Sequence, residues 1–193
     1  LESTNALDDT LIIFTSDHGD ALGDHGLAFK SFFYDPMVHV PLILRGPGVP
    51  QNKRCPSLVS TLDLIPLFYH TCETKPPSTL QGEDISVLLQ DPNARIRETA
   101  FSEIANRIMV QTDKYKYAHY KDGSAELYNL KTDPNETTNL AKNPEQIETI
   151  HHLQSILLEH WMDNQTYQYK AVNVPPHPLR VALEEEYKKT RTV

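Results

Sequence analysis

Cysteine is nearly absent: Cys55 and Cys72 are the only two in 193 residues, in the unlike settings Arg54-Cys55-Pro56 and Thr71-Cys72-Glu73. Neither a disulfide scaffold nor a four-ligand zinc site can be built from them. Two thiols leave the redox compartment open. Positive charge is also scarce, with 18 basic against 26 acidic residues and a net charge of -8. Such a field opposes nucleic acid and anionic membrane surfaces, so an anionic substrate needs a local positive site. Long apolar runs are missing as well. The longest, Val38 to Leu44, falls far short of the ~20 residues that cross a bilayer. Leu1-Glu2-Ser3-Thr4-Asn5 has neither a basic nor an apolar leader segment, so no targeting signal is legible and no compartment follows. What is present, 39% hydrophobic and 23% charged residues, suits a globular protein with a sizeable core. Two N-x-T triplets, at Asn135 and Asn164, would matter only in a secretory pathway.

Thr10-Leu11-Ile12-Ile13-Phe14-Thr15 is a continuous apolar, β-branched run, which predicts a strand buried on both faces of a parallel sheet. A parallel strand needs neighbours reached by crossovers, and this one stands first in the chain, so an upstream part is expected. Glycines 19, 23 and 26 punctuate a long loop before a second predicted strand, Val38 to Leu44, closed by Gly46-Pro47-Gly48. Ser60 to Thr71 reads as a helix with Asp63 as N-cap and Pro66 in its first turn. A short helical turn is expected around Ile85 to Leu89.

Four strand-like segments follow, Ala100 to Glu103, Arg107 to Gln111, Lys114 to Tyr120 and Ala125 to Leu130, with the spacing of an antiparallel meander. From Pro144 to Trp161, Ile147, Ile150, Leu153, Leu157 and Trp161 recur at helical spacing, an apolar face that should lie on that small sheet. Residues 164–193, with Pro175-Pro176 and Pro178, read as an extended tail. The division expected is therefore an α/β core over 1–94, a small sheet with its helix over 95–163, and the tail.

The chemistry is concentrated in Ser16-Asp17-His18-Gly19-Asp20-Ala21-Leu22-Gly23-Asp24-His25-Gly26-Leu27-Ala28-Phe29-Lys30. Ligands of open α/β sheets bind beyond the carboxyl ends of strands, where Asp17 and His18 fall. A carboxylate beside an imidazole can hold a divalent cation, and a lysine on the following loop can reach an anion on that cation. The pair alone is equally compatible with a turn-capping acid, a loop histidine and a solvated lysine. Asp20, Asp24 and Asp35 read as turn and cap residues. His39 reads as a packed strand histidine, and His151 and His152 as solvated helix positions.

The whole string is more specific. Ser-Asp-His-Gly-x-x-x-Gly-x-His-Gly, then Lys30, Tyr34-Asp35-Pro36, Val40-Pro41-Leu42-Ile43 and Gly46-Pro47-Gly48 resembles a block of the sulfatase family, within the alkaline-phosphatase superfamily, in order and spacing. Ser60-Thr61-Leu62-Asp63-Leu64-Ile65-Pro66 with Leu80-Gln81-Gly82 is similar to the next block. Glu126-Leu127-Tyr128-Asn129-Leu130, Asp133-Pro134-Asn135-Glu136 and Asn139-Leu140 are similar to the C-terminal signature. The likeness spans about Thr10 to Trp161. It covers arylsulfatase-like, iduronate-2-sulfatase-like and phosphonate monoester hydrolase-like members.

The resemblance implies the C-terminal part of an alkaline-phosphatase-like α/β sheet sandwich. It makes Asp17 and His18 metal ligands, Lys30 the ammonium on a sulfate oxygen, and His25 a residue near the substrate. It implies a formylglycine nucleophile from a C/S-x-P/A-x-R motif, which this chain does not contain; Cys55-Pro56-Ser57-Leu58 departs from it in the place of its proline and in lacking the arginine. The expected activity is hydrolysis of a small sulfated substrate, with a divalent metal, calcium in first place and manganese or zinc as alternatives. The partner expected is the missing N-terminal half, without which the chain should not turn over; oligomeric state is not legible. Two rival readings stand beside it: a phosphonate or phosphate monoesterase of the same superfamily, and a non-catalytic scaffold domain.

Overall fold

In the computed structural model, residues 1–171 are described, with side chains through residue 164. A 3-10 turn (Glu2–Thr4) leads to strand β1 (Ile12–Thr15). The site loop follows, then the one-turn helix α1 (Asp35–Val38) and strand β2 (Leu42–Arg45). A 3-10 turn (Thr61–Asp63) runs into helix α2 (Leu64–Thr71), and α3 (Val87–Gln90) precedes the meander. Its strands are β3 (Ala100–Ile104), β4 (Arg107–Gln111), β5 (Tyr115–Tyr120) and β6 (Ala125–Asn129). The 3-10 turn Pro144–Gln146 then opens helix α4 (Ile147–Ala171).

β1 does not enter a parallel arrangement in this chain; it pairs antiparallel with β2, Ile13 opposite Leu44 and Phe14 opposite Ile43. The reason is that an apolar run reports burial, not strand direction. Ile13, Leu42 and Leu44 face a cluster built on Leu67, Ile85 and Leu88. The alternate positions point the other way, so the directly opposed Phe14 and Ile43 are 61% and 60% exposed. One face of this sheet is thus covered and the other, though equally apolar, is open.

The second apolar run is also divided differently from the expectation. Val38 ends α1, His39 caps it, and the strand begins at Leu42, after Pro41, whose missing N–H suits a strand start. Asp63 stands at the N-cap position of α2 as expected, but its side chain makes no cap bond there and turns back to accept the backbone N–H of Ser60 at 2.7 Å. It also accepts the Glu83 N–H at 2.8 Å and pairs with Arg97 at 2.5 Å. A fully buried carboxylate is tolerated there because each oxygen has a strong donor.

The meander is as expected, antiparallel throughout in the order β3-β4-β5-β6. Strand alternation divides it into two faces. Val110, Tyr117 and Leu127 form the apolar face and pack with Leu153 and Leu157 of α4, where Gln154 donates to the Tyr117 hydroxyl at 2.9 Å. Ile147 and Trp161, expected on the same helix face, are 54% and 53% exposed. Residues Leu1–Leu157 form one compact unit, and α4 beyond Leu157 belongs to another. The helix continues through Ala171, past Asn164 where an extended tail was expected; the rest of that tail, 172–193, lies outside the described residues. The other face of the meander carries Arg107, Met109, Lys116, Ala118, Tyr120, Glu126 and Tyr128, and it is against this polar face that the site loop is built.

Candidate active site

The loop between β1 and α1 starts at the carboxyl end of β1 with Ser16-Asp17-His18-Gly19. Gly19 fixes where this turn sits: its N–H donates to the Met37 carbonyl at 2.8 Å, and a Cβ on it would meet the Pro36 carbonyl oxygen at 1.9 Å. Only glycine allows the strand end to lie so close to α1. Beyond it the backbone is unusual, with Leu22, His25, Phe29 and Ser31 at positive φ (48°, 53°, 69° and 121°). Such conformations persist where the surroundings over-determine them, and they concentrate at functional loops.

Asp17, His18 and Lys30 are brought together, as expected from the sequence. His18 Nδ1 faces the Gly19 carbonyl oxygen at 2.8 Å. That oxygen can only accept, so Nδ1 carries the proton, and the lone pair of the neutral ring lies on Nε2. Nε2 stands 3.4 Å from Asp17 Oδ2 and receives the Lys30 ammonium. Asp17 Oδ1 accepts the His18 N–H at 2.9 Å. That hydrogen bond holds the Asp17 carboxyl below the usual carboxylate range although its side chain is 84% exposed.

The donor set suits two positions of a divalent cation: an ionised carboxylate oxygen and an imidazole lone pair, the ring tied at its other nitrogen to a backbone carbonyl, as metal-binding histidines are. It does not suit a complete metal centre, since no group of three or more His, Cys, Asp or Glu side chains suited to a metal occurs among the described residues. A cation held by these two groups would need further ligands from elsewhere.

His25 is placed differently. Its ring stacks on Tyr34, centroids 3.8 Å apart and planes 11° from parallel. Tyr34 belongs to a cluster that the sequence did not foretell, although Tyr34, Glu126 and Tyr128 fall in the family blocks. The Tyr34 hydroxyl donates to Glu126 Oε1 at 3.1 Å, Tyr120 donates to Glu126 Oε2 at 3.0 Å, and the Tyr128 hydroxyl is 3.4 Å from that of Tyr34. Burial, reinforced by the neighbouring carboxylates, pushes all three phenols above their ordinary range. Asp35, expected only to shape a turn, pairs with Lys116, which is 2% exposed and also 2.7 Å from Glu136. Burial opposes ionisation of Asp35, but Lys116 and His39 prevail and hold its carboxyl below the usual range. The Asp35 N–H donates to Glu136 Oε2 at 2.7 Å.

The bonds from Tyr34 to Glu126 and from Asp35 to Lys116 and Glu136 join residues 81 to 101 positions apart, and no local spacing signals them. The one hint was compositional: a lysine and a glutamate at alternate positions of otherwise apolar strands, which burial obliges to find partners.

Comparison with known proteins follows this geometry. The family described as N-sulphoglucosamine sulphohydrolase, C-terminal, matches residues 23–163, a stretch that includes His25 and Lys30 and begins just after Asp17 and His18. Mouse arylsulfatase K is 35% identical over 159 residues, 73% of this chain and 28% of that protein. A solved 2-O GAG sulfatase superposes with a TM-score of 0.78 at 30% identity, over 92% of this chain and 41% of that one. The phosphonate monoester hydrolase of Agrobacterium radiobacter superposes with a TM-score of 0.66 at 27% identity, over 88% of this chain and 37% of that one. The chain thus spans well under half the length of these relatives, and its fold is the C-terminal part of their alkaline-phosphatase-like α/β architecture.

Proposed function

Because this chain belongs to the sulfatase family, we propose that it forms the C-terminal wall of a sulfate monoester hydrolase active site. The observation that carries this reading is the convergence of Asp17 Oδ2, His18 Nε2 and Lys30 Nζ at the end of β1. In this reading Asp17 and His18 supply two ligands to a divalent cation, calcium in first place. A cation held by Asp17 and His18 would supply positive charge to the non-bridging oxygens of the ester, and a formylglycine outside this chain would supply the nucleophile. Lys30 holds a sulfate oxygen, a fixed positive charge that needs no rearrangement as negative charge builds up on the oxygens. His25, braced by Tyr34, faces the bound substrate. The rest of the site comes from the N-terminal part, which also covers the open apolar face at Phe14 and Ile43. Paired exposed aromatic and β-branched side chains on a sheet face mark a surface made to be buried.

The complete protein should release sulfate from an aryl sulfate and from sulfated GAG fragments, lose that activity on chelation and regain it best with calcium. The 193-residue chain alone should not. Turnover by the isolated chain that depends on Asp17 contradicts the division of the site. A second reading is favoured by the likeness to a phosphonate monoester hydrolase, since a carboxylate, an imidazole and a lysine serve phosphoryl transfer equally well. Relative kcat/KM on sulfate and phosphonate monoesters of one leaving group decides between them.

A further inference from the structure

Arg107 opens β4, opposite Tyr120 on β5, on the polar face of the meander. Its guanidinium lies between two rings, 5.1 Å from the centroid of Phe32 and 5.4 Å from that of Tyr120, both within cation–π range. One arm of the guanidinium donates to the carbonyl oxygen of Ser31. Its Nε is shut off from solvent without a hydrogen-bond acceptor. Ser31 follows Lys30 directly, and the residues on either side of Lys30, Phe29 and Ser31, both have positive φ. Such conformations persist only where the surroundings over-determine them; the Phe29 carbonyl is held within the loop, by the Ala21 N–H at 2.9 Å. The hydrogen bond to Ser31 comes from a strand 76 residues further along. Two carboxylate hydrogen bonds brace the same arrangement, because Glu126 accepts from Tyr120 on one side and from Tyr34 on the other.

Resting on the reading of Lys30 as the sulfate-holding group, we propose that Arg107 is the positioning residue that aims it. The meander then has a share in anion affinity, transmitted through a backbone carbonyl, without touching the substrate. A planar fork is needed for this, since it stacks between two rings and donates in its own plane at once; an ammonium does only one of these.

The test is made in the complete protein by comparing Arg107→Ala, Lys30→Ala and the double variant for KM on an aryl sulfate and for inhibition by inorganic sulfate. Arg107→Ala should raise both constants about tenfold, the size typical of residues that orient a ligand-binding group, with a smaller change in kcat. In the Lys30→Ala background the same substitution should add nothing, because the group it aims is gone. Amide exchange should quicken in residues 29–33 and stay slow in β3–β6, which separates loss of aim from loss of fold. Arg107→Lys keeps a cation between the rings and provides a folded variant if the alanine does not; its effect should have the same pattern and smaller size. Unchanged sulfate affinity in Arg107→Ala, or an equal penalty with and without Lys30, overturns the proposal. Unchanged sulfate affinity in Lys30→Ala alone overturns the anion role of Lys30 first, and the positioning role falls with it.

Discussion

Two groups of charged residues lie along one stretch of loop, and they are solved in opposite ways. Asp17, His18 and Lys30 are solvent-accessible, held by neighbours in sequence and by one another. Lys116, Asp35 and Glu136 form a triad drawn from distant segments, with Lys116 and Glu136 buried. Solvent screens exposed charges, so the first group has little part in holding the fold. A buried charge group is costly to leave incomplete, so the second fixes the α1 end of the loop to the meander. The difference teaches where each kind of residue is needed: the groups proposed as ligands stay accessible, and the buried charges that fasten the end of their loop come from distant segments.

The largest effect that would break this comparison is in the buried group. Lys116→Met leaves the Glu136 and Asp35 carboxylates without their cation and should destabilise the complete protein by about 3–5 kcal/mol, read from urea unfolding. A loss of under about 1 kcal/mol would place the triad with ordinary surface pairs. Next in size is the exposed group. Lys30→Ala should lower kcat/KM on a sulfate ester roughly a hundredfold or more while leaving the unfolding midpoint unchanged. A parallel fall in stability would show that Lys30 serves the fold.

Tyr120→Phe should have a moderate effect, about 1 kcal/mol, since it takes one donor from Glu126 while leaving the ring over Arg107. The smallest effect is the pH dependence of the triad. Asp35 has its carboxyl lowered in the folded state, so the folded protein binds fewer protons there than the unfolded chain. Its contribution is therefore complete above the ordinary carboxylate value of about 3.9 and is lost as pH falls through the depressed folded value. Once the profile is normalised at neutral pH, the acid limb should flatten in Asp35→Asn and move to lower pH, because the variant has no such contribution to lose, by less than the other effects. No change in that limb would separate Asp35 from the acid response.

Much of this was legible in the sequence, for reasons that differ by element. The meander and the start of α4 could be read because period-two alternation and the spacing of Ile150, Leu153 and Leu157 are local patterns. The grouping of Asp17, His18 and Lys30 was legible from the ordered family blocks, not from the Asp-His pair. The direction of β1 was not, since Ile12-Ile13-Phe14 is apolar on both faces whichever way its neighbour runs. The role of Asp63 was missed because a cap is inferred from the helix that follows it, while its partners Glu83 and Arg97 lie 20 and 34 residues away. Arg107 and Tyr120 could not be found at all, and Glu126 only as part of a family block without a role, because the loop they brace folds onto them from far upstream.

The central claim, that this chain supplies two metal ligands and an anion-holding lysine to a site completed by the N-terminal part, is tested most directly with Asp17→Asn in the complete protein. Sulfate release is measured against added calcium. The account predicts activity that saturates with calcium in the wild type, and in the variant a much higher calcium requirement with an unaltered unfolding midpoint. The same calcium dependence and the same rate in both proteins would contradict it.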